Sequence, residues 1–183
     1  IEKVIDQGLR MPLSIANVDI WGEDIENSEL VFATGDADEL CDFTGRMPAP
    51  ILWTARPSAL ALFWMRRADG TPFEGDPRRA LANVVDQYKA MGLVPVVSTE
   101  LEFYLCDPEG DRPRAPRSPV TGTRPHSDGI LSLDELQQFD EFLDDVYDAC
   151  AAQGIPAEAA TSENGAGQFE INMKHVDDPL RAA

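Results

Sequence analysis

The chain has 183 residues, and 33 Asp and Glu stand against 15 Lys and Arg, a formal charge of −18 at pH 7. A field of that sign repels phosphate, which argues against a nucleic-acid or anionic-membrane partner. The 13 glycines and 14 prolines stay below the roughly 25–30% of low-complexity chains, and the longest apolar run, Ala59 to Met65, has seven residues where a membrane helix needs roughly 20.

In chain order, Glu2 to Gln7 reads as the end of a helix closed by Gly8, at the position that calls for a left-handed residue. Strands follow. Leu13 to Trp21 and Glu29 to Thr34 alternate apolar and polar residues, and Ile51 to Ala55 and Ala59 to Arg66 flank the Arg56-Pro57-Ser58 corner. With a turn at Asp69-Gly70, this predicts a small, mostly antiparallel domain over residues 1–75.

Asp76-Pro77 sets an N-cap before a proline at the first helical position, and Leu81, Val84, Val85 and Tyr88 recur at helical spacing as far as Gly92. A helix over Pro77 to Met91 is expected, then a strand from Pro95 to Leu105. Asp107 to Ile130 is Pro-rich and aperiodic, and its Arg112, Arg114, Arg117 and Arg124 either touch phosphates or neutralise the protein's own acidic surface. Ser132-Leu133-Asp134-Glu135 is a capping box, and the stripe Leu136, Phe139, Leu143, Val146, Tyr147 and Cys150 predicts one helix ending at Gly154. Ala157 to Glu163 and Gln168 to Lys174 predict a hairpin in which Gly165 and Gly167 accept positive φ. His126 and His175 lack a partner at ligand-like spacing and are expected at the surface. The three cysteines form no CxxC pair, and Ile1-Glu2-Lys3 does not open like a secretory signal, so a reducing cytoplasm is expected.

Four carboxylates stand out against this background. In Glu100-Leu101-Glu102-Phe103 the two-residue period puts Glu100 and Glu102 on one face and the apolar side chains on the other. Roughly 6.6 Å apart along the strand, two such charges repel by about 2.5 kcal/mol at an effective dielectric constant of about 20. Glu170 shares a hairpin face with Gln168 and Asn172, and Glu163 lies just across the turn. Two readings stand by residue chemistry alone: an acidic chain meeting solvent, or a site for a hard divalent cation such as Mg²⁺ or Mn²⁺, which takes oxygen ligands.

Thr99-Glu100-Leu101-Glu102-Phe103-Tyr104-Leu105, followed by Ser162-Glu163-Asn164-Gly165-Ala166-Gly167-Gln168-Phe169-Glu170-Ile171-Asn172, resembles the glutamine synthetase family. The forms Ile130-Leu131-Ser132-Leu133-Asp134, Gly154-Ile155-Pro156-Ala157 and Glu163-Asn164-Gly165 look closest to its γ-glutamyl polyamine or monoamine synthetase branch. The resemblance implies an α+β chain with a β-grasp domain over 1–75 and the first part of a split-barrel catalytic domain over 76–183. It further implies ATP-dependent ligation through γ-glutamyl phosphate, with ATP as co-substrate, glutamate and an amine as partners, and a ring-shaped homo-oligomer.

By the same resemblance, Glu102, Glu163 and Glu170 match the ligands of one Mg²⁺ or Mn²⁺ and Glu100 a ligand of a second. The histidine and glutamate that complete the second metal site in the family, and its phosphate-contacting arginines, have no match here, so the chain is expected to be an N-terminal piece that is inactive alone. Ordinary glutamine synthetases carry an Asp-Gly-Ser-Ser loop that helps with ammonium. Asp19-Ile20-Trp21-Gly22-Glu23-Asp24 replaces it without the serines, so a larger amine is expected to be the nucleophile.

Overall fold

The structure, a computed structural model, describes residues 2–26, 28, 38–43, 48–67, 69–126 and 129–183. Its contacts divide the chain into two compact units, Ile1–Pro48 with Ala59–Val94, and Ala49–Ser58 with Pro95–Ala183. No helix among the described residues is long and apolar enough to cross a membrane.

The first unit opens with α1 (Glu2–Gln7), closed as expected by Gly8 at φ 67°. Strands β1 (Leu9–Pro12), β2 (Asp38–Phe43) and β5 (Phe63–Arg66) form an antiparallel sheet in the order β1-β2-β5, with Leu9 opposite Cys41 and Cys41 opposite Met65. The first strand lies earlier than the alternation over Leu13 to Trp21 suggests. Pro12 has no N–H to give a sheet ladder, and the chain passes into a 3₁₀ turn over Leu13–Ala16. Asp19 then closes a tight turn, its Oδ1 accepting from the Trp21 and Glu23 amides at 2.8 and 3.0 Å. The strand expected over Glu29 to Thr34 lies outside the described residues.

Two further expected strands are shorter than their patterns. Ile51 to Ala55 becomes β3 (Ala49–Ile51), and Ala59 to Arg66 divides into β4 (Ser58–Leu60) and β5. Helix α2 (Pro77–Ala90) begins as its cap predicts: Asp76 Oδ1 accepts from the Arg78 and Arg79 amides at 2.9 and 3.3 Å, while Oδ2 accepts from the Met65 amide of β5 at 3.0 Å. One buried carboxylate thus satisfies three N–H groups and fixes the helix to the sheet.

In the second unit, β6 (Glu100–Tyr104), β7 (Ala157–Ser162) and β8 (Gln168–Met173) form an antiparallel sheet in the order β6-β8-β7. The hairpin is as predicted. The single helix expected between the loop and the hairpin is two, α3 (Leu133–Gln138) and α4 (Asp140–Gln153), because Phe139 leaves helical geometry (φ −124°, ψ 24°). Its ring is buried edge-on against Phe169 at 5.5 Å between centroids. Phe169, Ile171 and Met173 of β8 are buried with Leu143 of α4, and Phe103, Leu136 and Val146 pack around them. Each large side chain buried this way contributes about 1.5–3 kcal/mol, so the sheet is held from its apolar face and its other face is left for polar residues. A short α5 (Pro179–Ala182), capped by Asp178, follows.

Candidate functional site

The polar face of this sheet carries Glu100, Glu102 and Tyr104 from β6, Gln168, Glu170 and Asn172 from β8, and Thr161 from β7. Register sets their neighbours. Glu102 is directly opposite Glu170, Glu100 opposite Asn172, Tyr104 opposite Gln168, and Thr161 opposite Glu170. Directly opposed residues hold their Cβ atoms about 4.5–5.5 Å apart, and like charges so placed are destabilising. Glu163, one residue beyond β7, is held where its amide donates to the Gln168 carbonyl at 2.9 Å.

Neutral donors hold the carboxylates in place. Gln168 Nε2 donates to Glu102 Oε2 at 2.8 Å, and Asn172 Nδ2 donates to Glu170 Oε1 at 2.7 Å. The Thr161 hydroxyl lies 3.4 Å from Glu170 Oε1 and 3.5 Å from Glu163 Oε1, so it stands between the two carboxylates. Gln168 also accepts at Oε1 from the Tyr104 hydroxyl and the Gly165 amide, each at 2.9 Å. One amide side chain therefore links β6, the hairpin turn and Glu102.

Of the four predicted site residues, register brings Glu102 and Glu170 together, Thr161 bridges Glu163 to Glu170, and Glu100 stands exposed one pleat along β6. As placed, no three His, Cys, Asp or Glu side chains among the described residues converge closely enough to grip a metal ion. Each bonded carboxylate is turned instead toward an amide or hydroxyl. The donor chemistry nonetheless fits a hard divalent cation: carboxylate oxygens on one sheet face, backed by a packed apolar face, with neutral donors to orient them.

The two glycines of the turn serve different ends. Gly167 takes φ +73°, as the hairpin requires. Gly165 is not in that region; it is glycine because a Cβ would lie 2.5 Å from the Tyr104 ring and 2.7 Å from Gln168 Oε1.

In the sequence Glu135 reads only as part of a helix cap, and Ser162 carries no separate signal. Glu135 is 5% exposed and Ser162 fully buried. Burial pushes the Glu135 carboxyl above the usual carboxylate range, against the opposing pull of the Gly167 N–H. The only signal in the sequence was the Ser-x-x-Glu spacing, which marks a helix start equally well.

Two of the four loop arginines meet a carboxylate. Arg124 Nη2 meets Asp107 Oδ2 at 2.6 Å, with Arg114 Nε at 3.4 Å, and Arg117 donates to the Gly122 carbonyl at 3.0 Å. The Arg124 hydrogen bond holds the Asp107 carboxyl below the usual range. His126 and His175 are exposed, as expected.

The antiparallel sheet sets the E-x-E strand beside the Gly-Gln-x-Glu hairpin strand, and so brings together the two segments that carry the sequence resemblance. The family described as glutamine synthetase, catalytic domain, matches residues 74–183. The chain belongs to the glutamine synthetase family. It is 35% identical over 98% of its length to the γ-glutamylputrescine synthetase of Escherichia coli, and 35% identical over 60% of its length to the glutamine synthetase of Thermus thermophilus. It spans 39% of the first of these relatives and 23% of the second. A solved structure titled as a novel glutamine synthase homolog shares the fold at a TM-score of 0.73, with 21% identity, over 99% of this chain and 40% of that one. The fold is thus of glutamine synthetase type, with mixed helices and sheets.

Proposed function

We propose that this chain serves ATP-dependent ligation of glutamate to an amine through γ-glutamyl phosphate, with a polyamine or alkyl amine rather than ammonium as the nucleophile. The observation that carries the reading is the opposition of Glu102 and Glu170, with Glu163 beside them, on the polar face of a glutamine-synthetase-type sheet. Phosphoryl transfer develops charge on the phosphate oxygens, and neutralising that charge is the chemistry a bound Mg²⁺ or Mn²⁺ supplies. Glu102, Glu163 and Glu170 are the residues to hold one such ion and Glu100 to contribute to a second. Gln168, Asn172 and Thr161 orient three of those carboxylates, and the buried β8 face keeps the strand from shifting under them.

Three further points support the amine. Net charge of −18 concentrates organic cations. The turn at Asp19 to Glu23 has no serine and presents Ile20 and Trp21, 90% and 82% exposed, in place of small hydroxyl side chains. The relative matched along 98% of the chain is named for putrescine. We assign residues 1–75 to a β-grasp domain and 76–183 to the opening part of the split-barrel catalytic domain, in a cytoplasmic protein that works as a ring-shaped homo-oligomer. Mass spectrometry of products from glutamate, ATP and an equimolar mixture of putrescine, isopropylamine and ammonium tests the reading on the intact protein. A γ-glutamyl alkyl amide as main product is expected; glutamine as main product would assign ammonium as the nucleophile.

A further inference from the structure

The capping box at α3 is only half made, and what its glutamate does instead bears on the acidic face. Ser132 Oγ accepts from the Glu135 amide at 3.2 Å, as a cap should. The reciprocal bond, from Glu135 back to the Ser132 amide, is the usual second half. Here the Ser132 amide donates to Ser162 Oγ at 2.6 Å and to the Gly129 carbonyl at 2.9 Å. The Glu135 side chain runs into the interior, where its Oε1 accepts from the Gly167 amide at 3.3 Å.

Ser162 and Gly167 bracket the turn that begins with Glu163, and both are held by the same segment. The Ser162 hydroxyl has the Gly129 and Ser132 carbonyls as acceptors at 3.1 and 3.2 Å, and its carbonyl accepts from the Leu131 amide at 2.9 Å. Leu131 takes φ 58°, a conformation unusual for a leucine and tolerated where the surroundings over-determine it. At the far end of the turn, the Gly167 carbonyl accepts from the Leu105 amide at 2.9 Å, and a Cβ there would sit tightly, 3.1 Å from the Ala115 Cβ and 3.2 Å from the Leu105 carbonyl oxygen. The Gly167 N–H is therefore fixed in direction and buried, and it needs an acceptor there.

We propose that Glu135 is a positioning residue for the acidic face: by accepting the Gly167 N–H it fixes the turn that sets Glu163 and Glu170 relative to one another. This rests on the reading of that face as a divalent-cation site. A group that only filled space here could be apolar. An acceptor at Oε1 satisfies the buried Gly167 N–H and, with the Leu105 bond on the other side of the same residue, holds the turn at one height.

Titration of the chain with Mn²⁺, followed by the electron paramagnetic resonance signal of the free ion, separates these cases when run on wild type, Glu135→Gln, Glu135→Asp and Glu135→Leu, each checked for cooperative thermal unfolding. Gln keeps the acceptor without the charge, Asp keeps the charge but cannot reach, and Leu keeps only volume. Wild type and Glu135→Gln should bind within about twofold of each other, while Asp and Leu should bind about tenfold or more weakly, in the range for residues that orient metal ligands. Should Glu135→Leu not fold, Glu135→Asp decides. Equal affinity for Asp and wild type, or an affinity for Gln as poor as for Asp, overturns the positioning role while leaving the metal site standing. Absence of Mn²⁺ binding by wild type removes the metal reading itself, and this role with it.

Discussion

Glu102 and Glu170 are register partners on adjacent antiparallel strands, each held by the amide side chain of a neighbour, Gln168 for one and Asn172 for the other. Opposed like charges destabilise a strand pair by roughly 0.2–1 kcal/mol. Replacing either glutamate by glutamine should therefore leave unfolding free energy unchanged or raise it by up to about that amount, while Mn²⁺ affinity falls sharply. Urea denaturation beside Mn²⁺ titration checks both. A large loss of stability would mean that the pair serves the fold rather than a ligand.

The glycines offer a graded test of backbone demands. Gly154 takes φ +69° with open space around it, so Gly154→Ala should cost only the left-handed penalty of about 1–2 kcal/mol. Gly167 adds contact with the Leu105 carbonyl at 3.2 Å and the Ala115 Cβ at 3.1 Å, so Gly167→Ala should cost about 3 kcal/mol or more. Gly165→Ala should behave differently again. It displaces the exposed Tyr104 ring and breaks its bond to Gln168, with a stability loss of about 1 kcal/mol and a larger effect on cation binding. Denaturant midpoints for the three variants give the ranking.

Stability should depend on pH through two carboxyl groups with opposite signs. Asp107 has a folded pKa below its unfolded value, so its contribution is present above about pH 3.9 and is lost as pH falls through the lower folded value. Asp107→Asn should remove that acid limb. Glu135 has a raised folded pKa, so its contribution is present below about pH 4.3 and is lost as pH rises through the folded value. Relative to wild type, Glu135→Gln should therefore gain stability as pH rises across that window. Thermal unfolding at a series of pH values, with the three proteins side by side, reads both effects.

Cysteine reactivity should follow burial. Cys106 is exposed, whereas burial raises the Cys150 thiol above its ordinary range, so iodoacetamide should label Cys106 before Cys150. Peptide mapping after brief labelling gives the order; faster labelling of Cys150 would indicate that α4 opens readily.

Much of the sheet was legible because β8 alternates cleanly: Phe169, Ile171 and Met173 inward, Gln168, Glu170 and Asn172 outward. The two-residue period also placed Glu100 and Glu102 on one face. What it could not supply was register, and so the opposition of Glu102 to Glu170 came only with the strand pairing. Alternation misled over Leu13 to Trp21, where Pro12 and the Asp19 side chain impose a turn that local polarity does not reveal. The stripe from Leu136 to Cys150 reads as one helix because a break at Phe139 costs the pattern nothing; in the structure Phe139 leaves helical geometry with its ring buried against Phe169. Glu135 was hidden for a related reason. A capping box looks the same in sequence whether its glutamate turns back to the helix end or inward to Gly167.

The central claim, that the acidic face serves metal-assisted ligation of glutamate to an amine, is tested most directly by phosphate release from ATP by the intact protein with Mg²⁺, glutamate and putrescine, each omitted in turn. Release should require all of them, show a higher kcat/KM for putrescine than for ammonium, and be lost in Glu170→Gln. Release that persists without glutamate or amine, or that survives Glu170→Gln undiminished, would contradict it.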